Sequence, residues 1–288
     1  MNTSNGLGGL GAIRRFKQQG VALDGARLVV TGGGSGLGRR MAIGAARRGA
    51  TVALWDLDGR RADSVRQEIE REGGQATAHA VDVTDRIQVE AAAAATGPVD
   101  VVINSAGVVS GRSLLEDTPE AIDRTIDVNL KALFWVTRAF LPGMVERGLG
   151  FVVTVASAAG MLAGSRMAAY AASKAGAIAF NESLRNEMRQ DQTGVGTMVV
   201  CPFYIDTGMF AGVKTKVPAL LPILEPRRVA GAILRGIERG TKQIIAPPFV
   251  RIVPLLRVQP VGLADWTADL FGINQSMEDF SGRAGDRL

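Results

Sequence analysis

A tyrosine and a lysine stand four positions apart in the segment Tyr170-Ala171-Ala172-Ser173-Lys174. Residues four apart on a helix share a face, so the phenol and the ammonium can point at the same place. A tyrosine is a weak base near neutral pH because its ordinary pKa is about 10, and a nearby cation lowers that value by favouring the phenolate. The pair is a candidate for proton transfer, although such a pair also arises by chance on exposed helix faces.

Two further polar residues are candidates for the same site. Ser157 directly follows a predicted strand, 151–156, and ligands of parallel α/β sheets bind beyond the carboxyl ends of the strands. Its hydroxyl can hold a substrate oxygen on which charge develops. Asn129 falls inside a long predicted helix, where asparagine is a middling helix former. We therefore expect a helix irregularity there, with a side-chain network or a bound water.

A glycine-rich loop follows the first predicted strand and precedes a predicted helix. Such a loop lets backbone N–H groups approach a pyrophosphate at the positive end of the helix. The flanking strand and helix matter, because glycines alone collect in turns for steric reasons. The predicted cofactor contacts in the loop are Gly32, Gly34, Ser35, Gly36, Leu37 and Gly38. A second glycine cluster, 6–11, has no strand before it and is not counted.

An aspartate, Asp56, ends the second predicted strand. A carboxylate at that position accepts hydrogen bonds from the adenosine ribose hydroxyls and repels a 2′-phosphate. Ser35 occupies the place where a basic residue would favour that phosphate. The sequence therefore predicts NAD rather than NADP. Arg60 and Arg61 are close enough to weaken this preference, although the start of an exposed helix is their simpler interpretation.

These motifs together resemble the short-chain dehydrogenase/reductase family over about residues 25–246. The resemblance rests on the loop TGGGSGLG, the turn Asn104-Ser105-Ala106-Gly107, Asn129, Ser157 and the YAASK motif. It implies that Tyr170 is the general acid/base, and that Lys174 lowers its pKa and holds the nicotinamide ribose. It also implies that Ser157 orients the substrate and that Asn129 positions the water of a proton relay.

The same resemblance implies more cofactor contacts along the chain. They are Asp82, Val83, Asn104, Ala106, Gly107, Pro202, Ile205 and Thr207. One position departs from the family pattern, because Phe203 stands where a glycine often follows the proline. That departure bears on the shape of the loop near the nicotinamide rather than on the class of reaction.

Strands and helices alternate at short spacing between residues 27 and 246. The predicted strands are 27–31, 51–56, 76–81, 99–104, 151–156, 196–201 and 243–246, and the predicted helices are 37–49, 60–72, 85–95, 119–144, 168–189, 226–239 and 263–271. This alternation predicts a doubly wound, Rossmann-type α/β fold with about seven parallel strands and helices on both faces, in a single domain. We expect a flexible N-terminal extension (1–24), the catalytic domain (25–246) and an apolar, helical C-terminal extension (247–288).

Composition excludes several other classes of protein. The net charge is +5, but the arginine pairs are scattered and no aromatic platform accompanies them, so we expect no nucleic-acid partner. One cysteine, Cys201, permits no intramolecular disulfide, and the single histidine, His79, argues against a metal site or a Ser-His-Asp hydrolase. No signal peptide or membrane helix is predicted, so we expect a cytoplasmic protein.

The C-terminal third resembles the branch of the family that contains retinol, long-chain alcohol and some 17β-hydroxysteroid dehydrogenases. The matching segments are 202–210, 217–222, 270–274, 276–277 and 280–283. That branch implies a hydrophobic alcohol or carbonyl substrate. Seven residues could form an apolar lid over it, or else pack the open side of the domain or a subunit contact: Met209, Phe210, Leu220, Leu221, Phe249, Val250 and Ile252. Segment 250–258 is compatible with peripheral membrane contact, although its prolines disfavour a regular amphipathic helix.

Three functional hypotheses follow. The first is an NAD-dependent oxidoreductase that interconverts a hydrophobic alcohol and its aldehyde or ketone. The second is an NADP-dependent carbonyl reductase of the same fold, against which Asp56 argues. The third is a sensor that binds the dinucleotide without turnover; it needs the glycine loop but not the four candidate catalytic residues. The family resemblance also implies a homodimer or homotetramer.

Overall fold

The computed structural model describes residues 18–253 and 258–282. Within them, one sheet contains seven strands that are all parallel, in the order β3-β2-β1-β4-β5-β6-β7. The strands are β1 (Arg27–Thr31), β2 (Thr51–Asp56), β3 (Gln75–Ala80), β4 (Val101–Asn104), β5 (Gly150–Val155), β6 (Val195–Pro202) and β7 (Gln243–Ala246). The predicted doubly wound parallel sheet is confirmed.

Helices cover both faces of this sheet. They are α1 (Gly36–Ala46), α2 (Gly59–Arg71), α3 (Arg86–Thr96), α4 (Pro119–Ile126), α5 (Ala132–Arg147), α6 (Ala168–Gln190), α7 (Pro226–Arg239) and α8 (Val261–Leu270). Helices α1, α2 and α7 bury their apolar sides in a core on one face, and α3, α5 and α6 do so on the other. Burial on both faces explains why β1, β4 and β6 are nearly continuous apolar runs.

The strand order reverses between β1 and β4, and the crevice at their carboxyl ends is where ligands of such folds bind. Thr31, the last residue of β1, fixes the geometry there. Its hydroxyl oxygen accepts hydrogen bonds from the backbone N–H groups of Ser105 and Ala106, at 3.0 and 3.1 Å. The loop after β4 is thereby held against the loop after β1.

The helix predicted over 119–144 is interrupted. A π-helical segment, Asp127–Lys131, separates α4 from α5, so the irregularity expected around Asn129 is present. A π-helical turn adds a residue to the helical repeat and is often found at functional sites. Here it turns the side chain of Asn129 into the protein, where only 1% of the residue is exposed.

The described N-terminal residues are packed rather than free. Val21 and Leu23 are buried, and the Gln18 amide donates a 2.8 Å hydrogen bond to the carbonyl of Thr197. The flexible extension predicted for residues 1–24 therefore does not include 18–24. Its remainder, 1–17, lies outside the described residues, as do 254–257 within the predicted membrane-contact segment and residue 283 of the last matching motif. No helix in the described part of the chain is both long enough and apolar enough to cross a membrane.

Candidate active site

Tyr170 and Lys174 lie side by side at the start of α6. Both residues are buried, and the Lys174 Nζ atom is 5.8 Å from the centroid of the Tyr170 ring. The ammonium donates a 2.9 Å hydrogen bond to the carbonyl oxygen of Val155, the last residue of β5. The helix thus presents both side chains to the carboxyl end of the central strands, as the four-residue spacing indicates.

Burial dominates the proton equilibria of this pair. It raises the pKa of the Tyr170 phenol to about 12, against a smaller lowering by a hydrogen bond from Ser157. It lowers the pKa of the Lys174 ammonium to about 8. The sequence predicts a lowered tyrosine pKa from a neighbouring cation helped by an oxidised nicotinamide ring. In the protein's own groups, loss of solvation is the largest influence on the pKa of Tyr170 and raises it.

Ser157 directly follows β5 and begins a short 3₁₀ turn, Ala158–Gly160. Its Oγ accepts a 3.1 Å hydrogen bond from the backbone N–H of Ala159, and its hydroxyl is hydrogen-bonded to the Tyr170 phenol. A Cβ on Gly160 would stand 2.6 Å from the backbone carbonyl atoms of Lys174. The absence of a side chain there therefore allows the serine turn to pack directly on α6, a requirement that no sequence pattern indicated.

The side chain of Asn129 links the loop after β4 to helix α6 by hydrogen bonds. Its Oδ1 accepts from the Val108 backbone N–H at 2.8 Å, and its Nδ2 donates to the Val108 carbonyl at 2.9 Å and to the Ser173 Oγ at 3.1 Å. The Ser173 hydroxyl in turn donates to the backbone carbonyl of Tyr170 at 2.7 Å. Both amide protons of Asn129 are thereby used within the protein, so the water-positioning role implied by the resemblance cannot use them as donors.

The glycine loop packs too closely for side chains. Gly32 has a φ of +65°, and a Cβ on Gly38 would lie 2.1 Å from the Gly32 carbonyl oxygen. The loop therefore brings bare backbone and the N-terminus of α1 to the cleft, an arrangement that fits a pyrophosphate. The cleft in front of it is lined by most of the predicted cofactor contacts: Gly32, Ser35, Gly36, Leu37, Gly38, Asp56, Asp82, Val83, Ala106, Gly107, Pro202, Ile205 and Thr207.

Two predicted cofactor contacts do not line the cleft. The backbone N–H of Gly34 donates to Asp56 Oδ2 at 2.9 Å, and a Cβ on Gly34 would meet the Arg61 side chain at 2.8 Å. Asn104 is buried, and its amide donates to the Thr137 hydroxyl at 3.1 Å. Both residues hold neighbouring segments together through these hydrogen bonds, and their contact with a cofactor stays a prediction.

Asp56 stands at the outer end of the cleft with its carboxylate held in place. Its Oδ2 accepts from Gly34 as described, and its Oδ1 accepts from the backbone N–H of Asp58 at 3.0 Å. The neighbouring Arg60 and Arg61 lie 3.8 and 3.4 Å from the carboxylate oxygens of Asp58. The two arginines also border the cleft, but their ion-pair partner is Asp58.

The pocket that the glycine loop lines is also lined by apolar side chains, whose part of it we call the apolar pocket, and Tyr170 lines the same pocket. Four of the seven residues predicted as a lid line it: Met209, Phe210, Leu221 and Val250. The other three do not, since Leu220 and Ile252 are exposed and Phe249 packs on Phe271 with ring centroids 5.5 Å apart. Further lining residues, not predicted, are Leu162, Met167, Phe203, Tyr204, Val253 and Ile273. Phe203, the departure from the family pattern, thus adds apolar surface beside the nicotinamide end of the cleft.

The single histidine and the single cysteine lie apart from this chemistry. His79 is on β3, and its Nε2 is 3.2 Å from the Thr77 hydroxyl. Cys201 is buried on β6, and burial raises the pKa of its thiol to about 12. In the described parts of the chain, no group of three or more histidine, cysteine or carboxylate side chains is placed to hold a metal ion.

A doubly wound sheet, a glycine loop at its switch point and a buried tyrosine–lysine pair define a dinucleotide-binding protein of the Rossmann type. The family model for short chain dehydrogenases matches residues 26–218. The chain belongs to the short-chain dehydrogenase/reductase family of oxidoreductases. Within it, the chain falls in the retinol dehydrogenase branch: it is 37% identical to epidermal retinol dehydrogenase 2 of Mus musculus over 89% of this chain and 85% of that protein.

Solved structures in the family agree with the fold. A short-chain dehydrogenase/reductase from Burkholderia phymatum in complex with NAD superposes with a TM-score of 0.76, at 26% identity over 84% of this chain and 96% of that one. A metagenomic short-chain oxidoreductase in complex with NADP gives a TM-score of 0.66, at 30% identity over 78% of this chain and 97% of that one. Members similar to this chain therefore bind either nucleotide.

Proposed function

We propose that this protein is an NAD-dependent oxidoreductase that interconverts a hydrophobic alcohol and its aldehyde or ketone, with Tyr170 as general acid/base. The observation that carries the proposal is the position of the Tyr170 phenol, buried in a pocket that both the glycine loop and apolar side chains line. A reacting carbon placed there is shielded from water and stands between a proton-transfer group and the nicotinamide end of the cleft.

The protein's own side chains carry out the proton transfer of the reaction. In oxidation, the substrate hydroxyl gives its proton to the Tyr170 phenolate, the O–H electron pair forms the C=O bond, and the carbon loses a hydride. When bound, NAD supplies the acceptor for that hydride, and NADH donates it in the reverse reaction. When substrate binds, the Ser157 hydroxyl turns its single proton from Tyr170 to the substrate oxygen. Lys174 and the positive end of α6, whose first turn contains Tyr170, favour the phenolate.

The preference for NAD rests on Asp56. Its two backbone hydrogen bonds fix the carboxylate at the edge of the cleft, where it can accept from ribose hydroxyls and would repel a 2′-phosphate. Arg60 and Arg61 share a single carboxylate, Asp58, which offsets only part of their positive charge, so the preference depends on Asp56. These contacts favour NAD over the alternative, an NADP-dependent carbonyl reductase.

The substrate class follows from the lining of the pocket. Apart from Ser157, Tyr170 and Tyr204, the side chains that face it are mostly aliphatic or aromatic, which suits a long apolar alcohol better than a small polar one. Similarity to retinol dehydrogenases supports the same class.

A substrate panel tests the proposal as a whole. Formation of reduced nucleotide would be followed with NAD and with NADP, for retinol, long-chain alcohols, sterols and short alcohols. We expect the highest kcat/KM with NAD and a long apolar alcohol. Activity confined to small polar alcohols would overturn the substrate class. Absence of turnover with every alcohol, and with every matching carbonyl and reduced nucleotide, while nucleotide still binds, would favour the non-catalytic sensor.

The pH dependence of turnover tests the role of Tyr170. Oxidation needs the phenolate, and the pKa of Tyr170 is raised to about 12, so kcat/KM should increase with pH, roughly tenfold per unit between about pH 6 and pH 8. The increase should weaken above about pH 8, where Lys174 loses the proton that favours the phenolate. Carbonyl reduction needs the neutral phenol and should stay level over the same range.

The variant Lys174→Gln distinguishes the effect of Lys174 on the pH profile of oxidation from that of Tyr170. Lys174→Gln has no charge to lose, so its slower oxidation should keep increasing through pH 8 without the change of slope. A wild-type oxidation profile that is level between about pH 6 and pH 8 would contradict proton abstraction by this phenol.

The proposal also includes a homo-oligomeric assembly and peripheral contact with a lipid surface. Phe134 on α5 is exposed beside Phe180 of α6, at 4.8 Å between ring centroids, which favours burial in a homodimer or homotetramer. Leu263, Trp266 and Leu270, spaced three and four residues apart, expose one apolar side of α8, which favours peripheral contact with a lipid surface. A monomer in sedimentation equilibrium would overturn the first, and vesicle flotation unaffected by Trp266→Ser would overturn the second.

A further inference from the structure

The last described residues contribute to the wall of the apolar pocket, since Ile273 lines it. We call residues 272–282, which follow α8, the C-terminal strap. The Ser165 hydroxyl, in the loop after β5, donates a 2.5 Å hydrogen bond to the carbonyl of Asn274. The backbone N–H of Ser281 donates to the carbonyl of Ala211, in the loop after β6, at 2.9 Å. The strap therefore ties together loops from two different strands at the active edge of the sheet.

Two loops that contact the strap, those after β4 and β6, have a glycine where the strap lies against them. A Cβ on Gly111, in the loop after β4, would stand 2.1 Å from the ring of Phe280. A Cβ on Gly212 would stand 2.0 Å from the carbonyl oxygen of Asp279. Both glycines also have a positive φ, +69° and +87°. A side chain at either position would collide with the strap, so both loops need glycine there. The strap is therefore a packed part of the fold.

A buried hydrogen bond fastens the strap to the pocket. The hydroxyl oxygens of Tyr204 and Ser276 are 2.8 Å apart, and both residues are buried. The Ser276 hydroxyl donates its single proton to the carbonyl of Ile273, at 2.7 Å, so Tyr204 must be the donor between the two side chains. The second tyrosine of the chain is thus committed to the strap and has no proton left for a substrate.

The strap also reaches the catalytic tyrosine. Met277, only 1% exposed, packs in one apolar cluster with Tyr170 and Tyr204, and Ile273 lines the pocket itself. The ring of Phe210 packs against both Tyr170 and the strap. Its centroid is 5.8 Å from that of the Tyr170 ring and 6.4 Å from that of the Phe280 ring. Displacement of the strap would therefore remove part of the pocket wall while Tyr170 stays in place on α6.

We propose that the C-terminal strap is the specificity-determining wall of the substrate pocket, and that the Tyr204–Ser276 hydrogen bond holds it closed. The substrate it selects is an elongated apolar alcohol or carbonyl, whose chain lies against Ile273 while its oxygen meets Tyr170. This choice of substrate rests on the proposed function. The fastening of the strap rests on the contacts alone, and Tyr204 and Ser276 act as positioning residues.

Hydrogen–deuterium exchange tests the fastening without any turnover. In Tyr204→Phe and in Ser276→Ala, we expect amides of 272–282 to exchange about tenfold faster, since loss of a buried hydrogen bond favours local opening. Segment 27–56 should be unaffected. Lys214→Ala is the matched control: it removes an exposed ion pair with Asp279, 2.7 Å in length, and should change exchange less than about twofold. Exchange that is unchanged in both hydroxyl variants would overturn the fastening.

Kinetics test the effect on specificity. In the same two variants we expect KM for a long-chain alcohol to rise about tenfold, while kcat, KM for NAD and KM for a short alcohol change less than about twofold. Tyr204→Phe/Ser276→Ala should be less affected than the sum of the single variants, because neither hydroxyl is left without its partner. Equal increases in KM for NAD and for both alcohols would overturn the selective wall. If the wild type oxidises no alcohol, the proposed function fails, and exchange still decides whether the strap is fastened as described.

Discussion

Tyr170→Phe should lose about a thousandfold or more of kcat in both directions while it retains the cofactor. The substitution removes only the phenolic oxygen, so the ring continues to pack against Phe210, and the group that exchanges the proton is gone. General acid/base groups contribute roughly 10²–10⁴-fold, or about 3–5 kcal/mol of the barrier. Steady-state kinetics with a long-chain alcohol and with its aldehyde would measure the loss.

Measurements of NADH binding and of stability distinguish a loss of proton transfer in Tyr170→Phe from a folding defect. The dissociation constant for NADH, from protein fluorescence, should stay within about threefold of wild type, because the phenol is one of many groups in the cleft. Thermal unfolding should shift by no more than about 1 kcal/mol in free energy, the usual contribution of one hydrogen bond, here the one with Ser157. Retention of more than a tenth of kcat would show that another group moves the proton.

Asp56→Ala should reverse the nucleotide preference. Hydrogen bonds to a charged group contribute about 1.5–3 kcal/mol, so kcat/KM with NAD should fall roughly 10- to 100-fold. Removal of the negative charge should at the same time improve kcat/KM with NADP. The ratio of the two specificity constants should therefore fall by about 10²–10³, as measured with one alcohol and both nucleotides.

A second variant separates charge from loop structure at this position. Asp56 also accepts the backbone N–H of Gly34, and alanine leaves that donor without its partner. Asp56→Asn keeps an oxygen for Gly34 and removes the charge, but it loses the second oxygen, which accepts from the backbone N–H of Asp58. It should improve NADP use with a smaller loss of NAD use than alanine causes. An NAD-to-NADP ratio unchanged in both variants would contradict the assignment of Asp56 to the ribose and would favour the NADP-dependent alternative.

The fold was predictable because its local signals agree with its tertiary structure. Apolar runs such as Val101–Asn104 are buried on both sides, and each is followed by a turn and an amphipathic helix. The main difference lies in the helix predicted over 119–144, where residues 127–131 are π-helical. The unusual asparagine indicated the place, but the π-helical geometry depends on Val108 and Ser173, which are distant in sequence.

The candidate residues of the site could be chosen from the sequence, but several of the interactions between them could not be predicted. The motif containing Tyr170 could be read from sequence, whereas the direction of its pKa depends on how completely the folded chain removes water from it. The Tyr204–Ser276 hydrogen bond joins residues 72 positions apart, and no periodic pattern connects them. The hydrogen bond from Asn104 to Thr137 was not predictable for a similar reason, because Thr137 lies 33 positions away on α5.

The most direct test of the central claim is transfer of a labelled hydrogen. A long-chain primary alcohol with deuterium on its carbinol carbon would be incubated with the wild-type protein and NAD, and the nucleotide and the aldehyde would be analysed by mass spectrometry. The account predicts deuterated NADH and aldehyde in equal amounts, with neither formed by Tyr170→Phe. NAD that binds but acquires no deuterium from the alcohol, together with no label transfer from deuterated NADH to the aldehyde, would contradict it.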